Sequence, residues 1–422
     1  MALVMQTQQI LMLFFGGLLP MGLLAFYLGR GKAVRVRSNG EHMHSQPDQY
    51  AWFAVVTTVA PAIIVGLLGA FLVLSGVEWI SAQAILALAL VSAVGGLSGG
   101  FRAIRPELRA RDVLERAVRW LLLLASLISI VTTFGILVSI LFEALRFFNM
   151  ESFWYFITGT EWSPGASFLE GAGRSAEGAA ESRFGAVPLF AGTFMITAIA
   201  MLVAVPIGLL SAIYMSEYAP RRIRTAAKPV LEVLAGIPTV VYGFFAAITV
   251  APLVVSASEA LGLEASFNNA LAPGIVMGVM IIPFISSLSD DVISAVPSSM
   301  REGSLALGTT RAETIRHVVI PAALPGIISA SLLGISRALG ETMIVVMAAG
   351  LRPNLTWNPL EDMTTVTVRI VNALTGDQAF ESAETLSAFA LGLVLFAVTL
   401  ALNVVSVIMI RRFREKYRVS NL

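Results

Sequence analysis

Between two of the longest apolar segments of the chain, residues 298–325 read SSMREGSLALGTTRAETIRHVVIPAALP. This polar interval contains two capping boxes, in which a Ser or Thr at a helix start is followed three residues later by Glu. Ser299 and Glu302 form the first box, and Thr310 and Glu313 form the second. The boxes predict two short helices, one directly after the other.

Glycine and proline punctuate the same interval. Gly308 lies between the two boxes, where a residue in the left-handed conformation commonly ends a helix. Pro321 and Pro325 follow the second box and mark the turn into the next apolar segment. The two short helices are therefore expected to meet at a sharp corner near Gly308.

The composition is that of a helical membrane protein. Of 422 residues, 57% are hydrophobic and 13% are charged, which predicts an all-α polytopic membrane protein. The chain has no cysteine, which excludes a disulfide framework, thiolate metal sites and a cysteine nucleophile. Its three histidines are too few for a His-rich metal centre. No Walker-type phosphate loop is present, so any ATP that drives the protein must bind another chain.

Nine apolar runs are long enough to cross a bilayer as helices. They are Ile10–Leu28, Ala51–Gly76, Ile80–Leu97, Trp120–Leu145, Leu189–Met215, Val230–Val255, Ala272–Val296, Gly326–Gly350 and Leu386–Ile410. Ile80–Leu97 is the weakest of them because it is short and rich in alanine. No Lys or Arg precedes the first run and four follow it closely, which predicts that this helix is retained with its N-terminus outside.

The distribution of basic residues agrees with nine helices. With the N-terminus outside, the segments predicted to lie inside hold 22 of the 28 Lys and Arg residues. Omitting the third helix would move basic loops to the outer face. The same topology places residues 298–321 and the C-terminus in the cytoplasm.

The chain is expected to fall into four regions. These are a three-helix membrane extension with a basic cytoplasmic linker (1–118), a transmembrane helix with a periplasmic loop (119–188), a five-helix core (189–411) and a cytoplasmic tail (412–422). The aromatic first part of the periplasmic loop resembles an interfacial segment. Its second part, rich in Gly, Ala, Ser and Glu, is expected to be flexible.

Two charged residues lie inside the eighth apolar run. Arg337 and Glu341 are four residues apart, which puts them on one face of a helix. Counted from Gly326, both lie near the middle of the membrane. Because a charge there costs at least about 2.5 kcal/mol on insertion scales, it normally faces a cavity or a partner. We expect Arg337 to bind a passing oxyanion and Glu341 to pair with it when the path is empty; the alternative is a structural ion pair.

Proline and small residues interrupt the sixth apolar run. Pro238 removes a backbone donor, so the helix is expected to kink there, and the kink either lines the pore or serves packing alone. In the seventh run, Asp290 and Asp291 lie near the predicted inner end. A solvated helix end or a contact with the basic loop 298–321 is favoured there over acid–base chemistry or cation binding.

The polar interval resembles the EAA loop of ABC importer permeases. The residues that carry the resemblance are Glu302, Gly308, Ile315, Ile320 and Pro321. In that family the loop docks into a cleft of the ATPase subunit, which implies that Glu302, Gly308, Ile320 and Pro321 couple this chain to an ATPase. We call residues 298–321 the coupling loop. Gly303 and Ser304 stand where the family often has two alanines.

Three longer motifs extend the resemblance. EYAPRR (217–222), LAGIPTVVYGFF (234–245) and SRALGETMIVVMAAG (336–350) look like the C-type permease of phosphate-specific ABC importers. The resemblance implies a type I importer core, a second related permease, two cytoplasmic ATP-binding subunits and a periplasmic phosphate-binding protein. It implies no cofactor on this chain and no nucleic-acid partner, and it implicates Arg337 and Glu341 in phosphate passage.

Other functions remain open from the sequence. Another oxyanion, such as sulfate or molybdate, could be the substrate of the same machinery. A secondary transporter would use Glu341 or Asp290 as a proton site and would need no ATPase. A membrane enzyme is the weakest hypothesis, because no nucleophile, base and orienting group come together in the sequence.

Overall fold

The computed structural model describes residues 2–40, 42–75, 81–164, 182–375 and 382–418. Two compact units divide the chain, Met1–Gly135 and Ile136–Leu422. The boundary between them falls within one long helix, and so does the boundary predicted at residue 118.

The first unit contains α1 (Ala2–Ser38), α2 (Pro47–Leu74), α3 (Ala82–Ala103) and the beginning of α4 (Ala110–Met150). Glycine sets the approach of α3 to α2. A Cβ atom at Gly96 would lie 2.0 Å from the Thr57 carbonyl oxygen, and one at Gly100 would lie 2.0 Å from the Thr57 hydroxyl. Residues 104–109 are not helical, so the basic linker consists of the end of α3, a turn and the start of α4.

The second unit is built from the remaining helices and a small ribbon. They are α5 (Phe153–Thr158), β1 (Trp162–Ser163), β2 (Arg183–Phe184), α6 (Val187–Ile213), α7 (Arg221–Ala235), α8 (Thr239–Phe245), α9 (Ala251–Ala260), α10 (Leu271–Ser294), α11 (Ser298–Ala306), α12 (Arg311–Thr314), α13 (Ile320–Leu339), α14 (Met343–Ala348), α15 (Val366–Leu374) and α16 (Ala383–Arg418). Three π-helical turns, Tyr214–Tyr218, Ala246–Val250 and Ile315–Val319, extend α6, join α8 to α9 and join α12 to α13.

Within the described residues, nine helical stretches are long and apolar enough to cross a membrane. They are Phe14–Ser38, Pro47–Val73, Ala82–Ala103, Ala110–Met150, Val187–Tyr218, Thr239–Ala260, Leu271–Ser294, Arg311–Leu339 and Ala383–Met409. The predicted fold class and number of helices are confirmed, including the doubtful third helix.

Two predicted spans are displaced along the chain. The sixth span begins at Thr239 because Val230 to Ala235 belong to α7, an amphipathic helix that ends before Pro238. The eighth span was predicted at Gly326–Gly350. It runs from Arg311 to Leu339, so it starts and ends earlier in the chain. The π-helical turn before α13 shifts the backbone hydrogen-bond register, and the helix continues through both prolines that were expected to mark a turn.

The core of the second unit lies between α6 and α10. Gly274 and Gly278 of α10 let this helix approach α6 closely, since a Cβ atom on either would come within 2.9 Å of Ile199 or Val203. Ile281 of α10 is completely buried in this interface. The resulting tight pair gives the other helices a fixed frame.

An aromatic cluster packs the two-stranded ribbon against the end of α4. Trp162 and Phe184 are paired in the antiparallel ribbon and pack with Phe147 and Phe156. These side chains are buried, whereas Trp154 is exposed. The buried aromatics form a local core, and the interfacial position of this segment stays a prediction. The loop that was expected to be flexible lies in residues 165–181, outside the described residues.

Candidate functional site

The corner of the coupling loop forms where the second capping box and Gly308 predict it. The Thr310 hydroxyl accepts a hydrogen bond from the Glu313 backbone N–H at 3.3 Å, and a Glu313 carboxylate oxygen accepts one from the Thr310 backbone N–H at 2.8 Å. Gly308 has φ of +87°, the left-handed conformation that glycine adopts most easily. Both predictions are confirmed.

The first capping box is not formed. α11 begins at Ser298, directly after Pro297, and no side chain caps it. Ser299 is therefore already inside the first turn, and Glu302 lies beyond it with its side chain exposed. The prediction was wrong because Pro297, with extended backbone angles, is the N-cap, so the helix starts two residues earlier than Ser299 suggested.

The helix after the corner is not short. It runs from α12 through the π-helical turn into α13, so Ile320 and Pro321 lie inside a membrane-spanning helix. Pro321 occupies the first turn of α13, and Ile320 is half-buried. The corner thus connects α11 rigidly to the helix that carries Arg337.

Three hydroxyl groups hold the corner. Ser304 Oγ lies 2.8 Å from Thr309 Oγ1 and 3.1 Å from Thr314 Oγ1, and the two threonine hydroxyls are 2.9 Å apart. Ser304 and Thr314 are buried. Ser304, which stands where the family often has alanine, therefore has a structural role of its own.

Arg301 fastens α11 to the ends of two membrane helices. Its guanidinium contacts Glu217 Oε1 at 3.0 and 3.1 Å, and it donates to the carbonyl oxygens of Val296 at 2.5 Å and Ile293 at 2.7 Å. Glu217 is buried in the turn after α6. The pair of Arg301 and Glu217 was not predicted from the sequence. The signal that could have revealed it is the position of Glu217 at the end of an apolar run.

Large apolar side chains are exposed on α11 and at its C-cap. Leu307, the C-cap residue, is 87% exposed, and Leu305 and Met300 are also exposed. Glu302 is exposed on the same short helix. Apolar side chains with a nearby charge are typical of a surface that another protein covers.

Arg337 opens onto a charged cavity of about 380 Å³. Its charged lining residues are Lys228, Glu232, Asp290, Asp291 and Arg337. The Arg337 guanidinium lies 5.8 Å from the centre of the Phe284 ring. Phe284 is the fourteenth residue of the 24-residue helix α10, so the guanidinium lies near the middle of the bundle.

Arg337 and Glu341 do not share a helix face. α13 ends at Leu339, Gly340 caps it, and Glu341 lies in the break before α14. In the described part of the chain, Arg337 makes no ion pair with Glu341. The geometric prediction failed because the run was counted from Gly326 as one uninterrupted helix, whereas it starts earlier and breaks at glycine.

Glu341 instead stabilises the break. Its Oε1 accepts a hydrogen bond from the Met343 N–H at 3.1 Å, which satisfies a free donor at the start of α14. Its backbone carbonyl accepts from the Thr367 hydroxyl at 2.9 Å. The break is thus supported by both side-chain and tertiary contacts, which non-helical backbone at membrane depth requires.

The short helix α15 supports the segment after the break. Arg369 of α15 donates to the Leu351 carbonyl at 2.9 Å. Burial lowers the pKa of Arg369, and the nearby Glu384 carboxylate opposes this change. Since an arginine pKa starts far above neutral, Arg369 is a cation at physiological pH.

Asp290 is buried with two cations. Arg224 Nη2 lies 3.1 Å from each of its carboxylate oxygens, and Lys228 Nζ lies 2.6 Å from one of them. Asp291 is exposed, 3.8 Å from Lys228. The prediction of a solvated end or a contact with the coupling loop is wrong for Asp290, because its basic partners come from α7 and remove it from water.

Pro238 breaks its helix completely. α7 ends at Ala235 and α8 begins at Thr239, with the Tyr242 hydroxyl donating across the gap to the Leu234 carbonyl at 3.0 Å. Beyond the break, Gly243 lets α8 pack on α14, since a Cβ atom there would lie 3.0 Å from the Met343 carbonyl oxygen. Pro238 is absent from the lining of the charged cavity, so its pore-lining role stays a prediction.

Two parts of the chain match known protein families. Residues 204–419 match the family of binding-protein-dependent transport system inner membrane components. Residues 16–79 match a family described as phosphate ATP-binding cassette transporter.

Curated relatives cover most of the chain. A phosphate transport system permease protein PstC 1 from Mycobacterium bovis is 35% identical over 70% of this chain and 93% of its own length. The PstC protein of Mesorhizobium japonicum is 32% identical over 68% of this chain and 87% of its own. A probable ABC transporter permease of Bacillus subtilis, YqgH, is 34% identical over 63% of this chain and 78% of its own.

A solved bacterial alginate ABC transporter covers 72% of this chain and 96% of its own with 15% identity and a TM-score of 0.48, a likeness too slight to bear on mechanism. The family match covers half of this chain, and the relatives agree with it. The chain belongs to the family of binding-protein-dependent transport system inner membrane components.

Proposed function

We propose that this chain is the permease subunit of an ATP-driven importer of inorganic phosphate. The observation that carries the proposal is the Arg337 guanidinium, which faces a cavity that extends from the middle of α10 toward its C-terminal end. Relatives at 32 to 35% identity are named phosphate transport permeases. A multiply charged oxyanion in a low-dielectric path needs a fixed cation, and an arginine fork suits phosphate oxygens.

The coupling loop is the proposed contact with the ATPase. Its exposed surface contains Glu302 and Leu307, and the left-handed Gly308 sets the direction of the chain. Ile320 and Pro321 contribute indirectly, by continuing the corner into α13. Movement of α11 would be transmitted through Arg301 to the ends of α6 and α10, and through α13 toward Arg337.

The proposed assembly contains this chain, a second related permease, two ATP-binding subunits and a periplasmic phosphate-binding protein. The ATPase is a separate subunit because this sequence has no Walker-type phosphate loop. One arginine does not neutralise a phosphate dianion, so the second permease is expected to contribute another cation. We place the complex in the bacterial inner membrane, with the N-terminus of this chain in the periplasm and its C-terminus in the cytoplasm, following the distribution of Lys and Arg.

The secondary-transporter hypothesis finds less support. Asp290 contacts the cations Arg224 and Lys228, and Glu341 accepts a backbone hydrogen bond at the start of α14. Both carboxylates that could have served as a proton site therefore have structural partners.

The test is uptake into proteoliposomes that contain the whole complex, with ATP inside and binding protein outside. Uptake of phosphate, sulfate and molybdate is measured in parallel samples. In further samples, a proton gradient replaces ATP. We expect ATP-dependent uptake of phosphate alone. Uptake of sulfate or molybdate at an equal rate would overturn the substrate assignment, and gradient-driven uptake without ATP would overturn the importer class.

A further inference from the structure

The cations around Asp290 exceed what its single charge requires. Arg224 alone places one donor on both carboxylate oxygens, at 3.1 Å each, and also donates to Ser294 Oγ at 3.0 Å. Asp290 is 0% exposed, and a buried carboxylate needs one well-placed cation for compensation. Lys228 is therefore a second cation on Asp290, and it also lies 3.8 Å from the exposed Asp291 carboxylate.

The two cations differ in their access to the charged cavity. Lys228 lines it together with Arg337, whereas Arg224 is not among its lining residues. The lysine side chain is 39% exposed and binds through a point charge on a flexible stem. Arg224 has its guanidinium engaged by Asp290 and Ser294. Lys228 is thus the cation that can leave Asp290 without leaving that carboxylate unpaired.

The charges of the cavity explain why a movement of Lys228 away from Asp290 would help an anion to pass. Asp291 and Glu232 line it as well, and their carboxylates repel an anion that leaves Arg337 toward the end of α10. A cation that accompanied the anion past these groups would lower that barrier.

We propose that Lys228 is a second, mobile cation of the anion path, which rests on Asp290 and moves to the anion as it leaves Arg337, while Arg224 keeps Asp290 neutralised. This inference rests on the proposed function. It assigns Lys228 as a specificity-determining residue for phosphate and Arg224 as a positioning residue.

The alternative role of Lys228 is structural compensation of Asp290, and a double variant separates the two roles. We would compare Lys228→Met, Lys228→Arg, Asp290→Asn and Lys228→Met/Asp290→Asn as complete complexes in proteoliposomes, after gel filtration has shown that each assembles. If Lys228 serves the path, Lys228→Met lowers phosphate uptake about tenfold or more, the double variant stays equally slow, and Lys228→Arg recovers much of the rate. If uptake by the double variant returns to the wild-type level, Lys228 only compensates Asp290 and the proposal is overturned.

A pH series adds a readout that a structural role would not affect. The loss in Lys228→Met should be greater where phosphate is a dianion than where it is a monoanion, because the missing charge acts on the substrate itself. An equal loss across that range contradicts the proposal. Failure of the wild-type complex to import phosphate would instead contradict the proposed function, so the two failures are distinguishable.

Discussion

Replacing Arg301 with methionine should release α11 from the membrane helices. The change keeps an unbranched side chain but leaves the Glu217 carboxylate and the carbonyl oxygens of Ile293 and Val296 without their donor. Removing one partner of a buried ion pair typically costs about 3–5 kcal/mol. Because the Arg301 side chain is 22% exposed, we expect the lower end, about 3 kcal/mol, which corresponds to roughly a 100-fold shift toward the released state.

A spin label reports this release directly. The chain has no cysteine, so a single Leu307→Cys substitution gives it one labelling site at the exposed C-cap of α11. We expect the label to become more mobile in Arg301→Met, and the melting temperature of the complex to fall. Arg311→Met is the matched control, since within the described part of the chain that arginine lies over the Tyr218 ring at 5.2 Å, and its loss should cost less than about 1 kcal/mol.

The ion pair itself is tested by the double variant Glu217→Gln/Arg301→Met. It leaves no unpaired charge, so it should be more stable than Arg301→Met alone. Unchanged label mobility and melting temperature in Arg301→Met would refute the claim that this residue fastens the coupling loop.

Two glycine pairs give further predictions. Gly308→Ala should destabilise the complex by about 1–2 kcal/mol, because alanine is strained in the left-handed conformation. Gly303 is helical and has equally open space around its Cβ position, so Gly303→Ala should be neutral or slightly stabilising. Equal melting temperatures of the two variants would contradict this prediction. Gly243→Val should reduce phosphate uptake by forcing α8 away from α14, while the ATPase still co-purifies. Gly236→Ala, whose nearest contact would be 3.3 Å, should transport normally, and similar uptake by both variants would show that close packing at Gly243 is unimportant.

Local signals in the sequence predicted the elements that depend on backbone chemistry. Nine apolar runs gave nine helices because hydrogen bonding in hydrocarbon leaves few alternatives. Thr310 and Glu313 gave their capping box, and Gly308 its left-handed turn, because each depends on neighbours within three residues or on a single φ angle. These features need no tertiary information.

The candidate site depended on contacts that sequence distance conceals. Arg224 and Asp290 are 66 residues apart, and Arg301 and Glu217 are 84 apart. The pairing of Arg337 with Glu341 failed for the opposite reason: their separation of four residues suggested contact, but the break at Gly340 turned Glu341 to the N–H groups of α14. Helix periodicity holds only while the helix continues.

In the proposed transport path, phosphate passes Arg337. The most direct test of this step compares ATP-dependent phosphate uptake by complexes that contain wild-type chain, Arg337→Gln or Arg352→Gln, the last an exposed arginine outside the cavity lining. Co-purification of the ATPase is measured on the same samples. We predict that Arg337→Gln retains the ATPase and loses phosphate uptake, whereas Arg352→Gln transports normally. Normal uptake by Arg337→Gln would contradict the account.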